Sequence, residues 1–492
     1  MASNMFDRFP KLLNEDHKKE YQLSLLKPDS LPNQMEDTSL APIFTGKALS
    51  QPGEWPPQYS LLGGLKSFHN IGFPYPQDRA PEADPRLFLN VASPSSTFIC
   101  GSQGSGKSHT LSCMLEGCLI PSRAGKLSNP LTAIVFHYDT FICDDGGSPC
   151  EAAFLSSNPN IKVRVLCAPT NLRTLQRAYE KLNVTVEPLQ IDQRYLNTKR
   201  MMDLMAVGQD KGPMPLYMHT IMRVLREMRL VQQQDGNVFD YKEFKNRLFI
   251  SDLTPAQLDP LKQRLETLES FMPPGQSYED PVTSKKKLKT QCTGSNWAPK
   301  ASHLTIVDLS CPCISPDTAC SLFNICFEIF MEQNTKIGRI VALDEAHKDS
   351  IEARSFTDTL LSTVRLQRHL GARIVISTQE PTISKDLLGL CSVTIVHRFS
   401  SPAWLKALEG HVAAVALGSQ TTNKAANSEP DQWQDVPLTG RFALFQKIVD
   451  LRVGEALLFA PSAVLDTHTL GSNMSQLGRL GSGYMTSRLG TG

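Results

Sequence analysis

The hydrophobic pattern divides the chain into distinct stretches. From about residue 86, short apolar runs recur, each closing on a polar or small residue: "STFICG", "LTAIVFHYD", "VRVLCAP", "LTIVDLS", "RIVALDE", "ARIVIST", "SVTIVHRF" and "EALLFAP". Nearly continuous hydrophobicity over so few residues suits strands buried on both faces, as in a parallel sheet covered by helices. Helical patterns lie between several of them. In "SPDTACSLFNICFEIFMEQN", Ser315 can cap and Pro316 takes the first helical position. Ala319, Leu322, Phe323, Cys326, Phe327 and Phe330 then share one face. This alternation predicts an α/β fold, a mostly parallel sheet flanked by helices.

Between Pro169 and Thr305 the alternation stops, and residues 171–303 predict an inserted helical subdomain. Its clearest helix is "TPAQLDPLKQRLETLESFM", with Thr254 as cap and Leu258, Leu261, Leu265 and Leu268 on one side. Residues 1–85 contain "QPGEWPPQYS" and "GFPYPQDRAPEADPRL", too rich in proline for regular elements. They predict a poorly ordered leader, pinned at most by Trp55 and Phe73. The Gly/Ser-rich residues 466–492 predict a flexible tail. The folded unit is therefore expected at 86–465.

Composition narrows the setting. The formal net charge is +1, so nucleic-acid contact, if the protein makes any, must be local. The first residues carry no long apolar run, and no stretch approaches ~20 consecutive apolar residues, so neither a secretory signal nor a membrane span is expected. The 12 cysteines include no CxxC pair. Cys311 and Cys313 are the closest pair and lack a His/Cys partner at zinc spacing, so no zinc site is expected from spacing. Cys320 and Cys326 read as reduced core thiols. Together these features predict a reducing compartment, cytosol or nucleus.

"STFICGSQGSGKSHTLSCML" carries the strongest chemical signal. Gly101, Gly106, Lys107 and Ser108 fit G-x-x-x-x-G-K-[ST], with an apolar strand before and a helix after. In a P-loop NTPase of this kind the backbone N–H groups of residues such as Gly101, Ser102, Gln103, Gly104, Ser105, Gly106, Lys107, Ser108 and His109 surround the phosphates. Lys107 reaches the β- and γ-phosphates, and Ser108 binds Mg²⁺. A metal partner and a water activator are then required. Asp344 ends the run "RIVAL" at the carboxyl edge of the sheet, where it can hold Mg²⁺, and Glu345 follows as the general base. Gln379 ends "ARIVISTQ" and can reach the γ-phosphate or the attacking water.

Residues 344–347 spell Asp-Glu-Ala-His, the box of a helicase class with two α/β domains. The chain after Asp344 must first finish the same sheet, which leaves no room for a second such domain. The arginine-rich motif of that class is absent as well. The residues instead resemble the HerA/FtsK superfamily of motor ATPases over roughly 90–465. The matching features are the phosphate loop, "LTIVDLS", the Asp-Glu strand, and "RHLGARIVISTQEP", an Arg-x-x-Gly stretch leading into a strand that ends Thr-Gln-x-Pro.

That resemblance implies a RecA-like sheet of the additional-strand type, with Gln379 as polar sensor. It implies that Arg368, or else Arg365, acts in a neighbouring subunit's site, and hence a homo-oligomeric ring, usually of six. Asp308 and Arg398 are further candidates without an assigned role. The implied substrate is ATP. "TTNKAANSEPD" lacks the aspartate of the guanine-reading motif, since residue 426 is Ala. The cluster Lys285, Lys286, Lys287 and Lys289 reads as a solvated loop, a nuclear-import signal or a lining for nucleic acid. Two functions follow. One is a ring-forming ATPase that moves or remodels a polymer, DNA foremost. The other is a nucleotide-gated protein-interaction module with slow turnover. A P-loop kinase is weaker, because the Asp-Glu pair and Gln379 suit water as the nucleophile.

Overall fold

The computed structural model describes residues 38–69, 84–139, 147–205, 216–236, 239–251, 253–277, 293–344, 353–380, 385–410, 440–469 and 475–490. Glu345, Ala346 and His347 lie outside these residues, as do Phe73, the lysine cluster at 285–289 and the stretch around Ala426.

All the apolar runs form strands. They are β4 (Ser96–Cys100), β6 (Thr132–His137), β7 (Lys162–Cys167), β9 (His303–Asp308), β10 (Arg339–Asp344), β11 (Ala372–Thr378), β12 (Val393–His397) and β13 (Glu455–Phe459), with β1 (Ile43–Thr45), β2 (Tyr59–His69), β3 (Arg86–Asn90), β5 (Gly125–Lys126) and β8 (Val184–Pro188) between or before them. β14 (Val464–Thr469), β15 (Ser475–Arg479) and β16 (Tyr484–Leu489) close the chain. Eight strands in the order β12-β4-β11-β10-β6-β9-β7-β8 pair in parallel. β11 lies between β4 and β10, the additional-strand arrangement expected.

Each parallel strand sends alternate residues to two cores, as the two-residue period of a strand requires. Phe98, Phe136, Val341, Leu343 and Ile376 face one core. There they meet the helix Pro316–Glu332, whose first turn is capped by Ser315 accepting from the Thr318 N–H at 3.2 Å. Ile99, Val135, Ile340, Ala342 and Ile306 face the other core, against the helix Lys107–Leu119. By the same alternation the final residues His137, Asp308 and Asp344 fall on the Lys107–Leu119 side.

The insertion holds helices Thr198–Met205, Leu216–Asp235, Tyr241–Ile250 and Pro255–Ser270. In the last of these Leu261, Leu265 and Leu268 are buried, and the Gln257 side chain accepts from the Thr254 N–H at 3.0 Å. Their core is continuous with that of the sheet. The stretch is not wholly helical, however. Val184–Pro188 joins β7 as a parallel edge strand.

The ends of the chain differ most from expectation. β1 and β2 fall within the proline-rich leader, and β2 pairs with β3, β5 and β16. Phe44, Trp55, Tyr59 and Phe88 pack their rings together there. Within the expected flexible tail, β16 pairs with both β13 and β2. Among the described residues, the proline-rich signal holds for 51–58, which carry no helix or strand before Tyr59. In β16 the hydrogen bonds to two neighbouring strands order a half-polar sequence whose own hydrophobicity is low.

Candidate functional site

β4 runs into the loop 101–106, and the helix Lys107–Leu119 starts at once. Gly106 caps that helix with φ 106°, a left-handed conformation that a side chain disfavours. A Cβ at Gly101 would come within 2.7 Å of both the His397 Cβ and the Ser105 Oγ. Close approach, not turn formation alone, therefore demands glycine here.

The loop is braced from behind. Ser102 donates through its N–H and its hydroxyl to the Arg398 carbonyl, both at 2.9 Å. The Gly454 N–H donates to the Ser105 carbonyl at 3.3 Å. His397 is wholly buried beneath the loop. Its Nδ1 lies 3.0 Å from the Glu455 carbonyl, which can only accept, so Nδ1 carries the proton and Nε2 accepts from the Thr110 hydroxyl at 2.9 Å. Burial holds the His397 pKa down at about 4, so the ring is neutral. Sequence reading missed His397, because nothing local distinguishes a histidine ending a strand.

The front of the loop faces the expected ligand. Lys107 is buried at the helix start, and its Nζ donates to the Ser102 carbonyl at 3.1 Å, across the loop's mouth. The Ser105 Oγ is buried with no hydrogen-bond partner among the described residues. Gln103, Gly104 and His109 are exposed on the rim. Ser108 Oγ lies 3.4 Å from Asp344 Oδ1, at the end of β10 and 236 residues away in sequence. A hydroxyl and a carboxylate meeting at a helix N-terminus are hard oxygen donors of the kind Mg²⁺ takes, with few protein ligands.

The other candidates divide. Gln379 follows Thr378, in the gap between β4 and β10. It is exposed, and its carbonyl accepts from the Trp404 Nε1–H at 3.1 Å. Arg398 is also exposed, beside the loop that its carbonyl holds. Arg365 and Arg368 are exposed near the end of the helix Ala353–Leu370, just before β11 begins. β11 has seven residues, so this end lies roughly 20 Å from the phosphate edge. Neither arginine can serve its own loop. Arg373, in the same stretch, is buried and donates to the Val91 and Ala92 carbonyls at 2.7 and 2.6 Å, a structural role.

Asp308 is not brought to the loop, since β6 separates β9 from β10. Its Oδ2 accepts from the Tyr179 hydroxyl at 2.7 Å, which in turn accepts from the Cys150 N–H at 3.0 Å. Its Oδ1 accepts from the Ser310 N–H at 3.0 Å. Asp308 thus fixes the Cys150 turn against the sheet. A separate cleft of about 330 Å³, lined by Leu204, Arg264, Leu268 and Leu322, contains none of these residues.

No family model matches the chain, and no curated protein does. Among solved structures it is similar to VirB4 of Thermoanaerobacter pseudethanolicus, at 10% identity over 88% of this chain and 97% of that one, with a TM-score of 0.49. It is similar to the bacterial conjugative coupling protein TrwBΔN70 at 12% identity over 82% and 90%, TM-score 0.40. The genome packaging NTPase B204 from Sulfolobus turreted icosahedral virus 2, in complex with ATPγS, follows at 8% identity over 78% and 97%, TM-score 0.27. With all three scores below 0.5, the chemistry rests on this chain's own side chains.

Proposed function

We propose that this protein binds ATP at residues 101–109 and hydrolyses it, as one subunit of a ring that moves or remodels a polymer, DNA foremost. One observation carries the ATPase reading. The hydroxyl of Ser108, first in the helix after Lys107, meets the carboxylate of Asp344 at 3.4 Å, at the mouth of a glycine loop. Chance surface acids do not find a lysine-seated loop across so much sequence.

The chain's residues then divide the work. The loop N–H groups and the helix start accept the phosphate charge. Lys107 exchanges the Ser102 carbonyl for a phosphate oxygen, so ATP replaces an internal hydrogen bond with a charge-assisted one. Ser108 and Asp344 would hold Mg²⁺, which when bound neutralises charge on the β- and γ-phosphates. Glu345, next after Asp344, takes the proton of the attacking water, and Gln379 orients that water. Buried His397, the Arg398 carbonyl and the Gly454 N–H brace the loop in its binding shape without nucleotide, which lowers the cost of ordering on binding.

The ring and the polymer rest on the sequence resemblance and on geometry. An exposed Arg368 at the far edge of the sheet has no use at its own site but suits a neighbour's. The test is ATP turnover by wild type and Glu345→Gln, with and without duplex DNA at low salt. The variant should retain nucleotide while losing turnover at least a hundredfold, and DNA should stimulate the wild type. Slow turnover indifferent to nucleic acid, with nucleotide still bound, would instead support the interaction module.

A further inference from the structure

Beside the proposed Mg²⁺ position three metal-ligating side chains converge. His137 ends β6, Asp344 ends β10, and the two are directly paired in register. Cys150 comes from the turn that opens the helix Glu151–Ser157. One donor atom from each, nitrogen, oxygen and sulfur, lies within 4.8 Å of the others. His137 Nδ1 stands 3.8 Å from Asp344 Oδ2, beyond hydrogen-bond range, and is buried with no hydrogen-bond partner among the described residues. A buried ring nitrogen left without a partner is destabilising, so its orientation calls for a reason.

We propose that His137, Cys150 and Asp344 form a binding site for a thiophilic divalent cation, zinc being the best match, and that its occupation switches the nucleotide site off. The donor set selects the metal. Imidazole and thiolate with one carboxylate suit Zn²⁺, whereas Mg²⁺ avoids sulfur. Tetrahedral zinc spaces its ligands about 3.5 Å apart, so the three donors must close by about 1 Å. Water completes the fourth position. Binding releases the Cys150 thiol proton to solvent.

The turn is already fixed for this task. The Cys150 N–H donates to Tyr179, and Tyr179 is held by Asp308. That brace sets the sulfur's backbone without using the sulfur. The coupling to function runs through Asp344. Its Oδ1 faces Ser108, while its Oδ2 faces His137. A cation drawn to Oδ2 shares the carboxylate and pulls it from Ser108. Zinc and magnesium then compete for one side chain through its two oxygens.

The binding claim stands apart from the ATPase reading, and the test keeps them separate. Metal-free protein is titrated with Co²⁺, followed by Zn²⁺ in competition with a chromophoric chelator. Wild type should take up one equivalent and show thiolate-to-cobalt charge-transfer absorption. Cys150→Ser should abolish that absorption and weaken zinc binding at least tenfold, while binding a fluorescent ATP analogue like the wild type. His137→Gln, a less buried change, should also weaken zinc tenfold with the thiolate signal reduced. Zinc should inhibit ATP turnover in wild type and not in Cys150→Ser.

Exposed His109 and half-buried Cys113, 3.7 Å apart, are the competing location. Loss of the cobalt signal in Cys113→Ser, with both other variants binding zinc normally, overturns the proposal. So does a cobalt spectrum without a thiolate band. If the protein fails to bind ATP yet the zinc results hold, the site survives and the ATPase reading does not.

Discussion

His397 offers a prediction whose size follows from its surroundings. The ring is wholly enclosed beneath the phosphate loop and neutral, with a pKa near 4 against 6.5 for a free histidine. Between these values the unfolded chain binds a proton that the folded protein does not. Stability therefore falls as pH drops through 6.5, and the loss is complete below about 4. At pH 7.5 the effect is negligible. At pH 5.5 the linkage costs about 1.4 kcal/mol.

The perturbation is His397→Asn, which can still donate to the Glu455 carbonyl and accept from Thr110 but does not titrate. Urea-unfolding curves of wild type and variant at pH 7.5 and 5.5 give a double difference free of other titrating groups. Wild type should lose about 1.4 kcal/mol more than the variant on acidification. ATP affinity of the folded wild type should owe no change to His397 over the same interval, because the ring stays neutral until pH approaches 4. Identical pH slopes in the two proteins would refute the reasoning, since His397 would then titrate as a solvated group.

Three further outcomes follow from the site. Tyr179→Phe removes the hydroxyl joining Asp308 to the Cys150 N–H, leaving a buried carboxylate oxygen and an N–H unpaired; chemical denaturation should show a loss of about 2–4 kcal/mol, and a loss under 0.5 would mean the brace is idle. Asp344→Asn should keep ATP analogue binding without Mg²⁺ but abolish its Mg²⁺ enhancement in a fluorescence titration, with turnover down at least a hundredfold. Arg368→Ala and Lys107→Ala subunits, each inactive alone, should regain partial turnover when mixed, because Arg368 sits too far from its own loop; normal turnover by Arg368→Ala alone would remove the shared site.

Much of this arrangement was legible in the chain because buried parallel strands announce themselves. "RIVALD" and "ARIVIST" need no partner to be read, as both faces of the sheet are covered. The phosphate loop was legible for a similar reason, since glycine spacing and a following helix are local facts. The edges were harder. Tyr484–Leu489 looks like a flexible tail until β13 and β2 are placed on either side of it. Val184–Pro188 hides among helical patterns because it is a half-exposed edge strand.

The second layer of the site was illegible for a different reason. His137, Cys150 and Asp344 are joined by register and a braced turn, not by spacing, so cysteine arithmetic along the sequence passes over them. His397 is likewise assigned only by what packs above it. Glu345, the proposed general base, lies outside the described residues and is assigned from its place after Asp344.

The central claim is tested most directly by phosphate release from Mg²⁺-ATP and binding of a fluorescent ATP analogue, measured side by side in wild type and Lys107→Ala. The account predicts binding and turnover by the wild type. In the variant, binding should fall at least tenfold and turnover by a hundredfold or more, with folding intact by circular dichroism. A wild type that binds no nucleotide, or a variant that hydrolyses ATP at the wild-type rate, would contradict it.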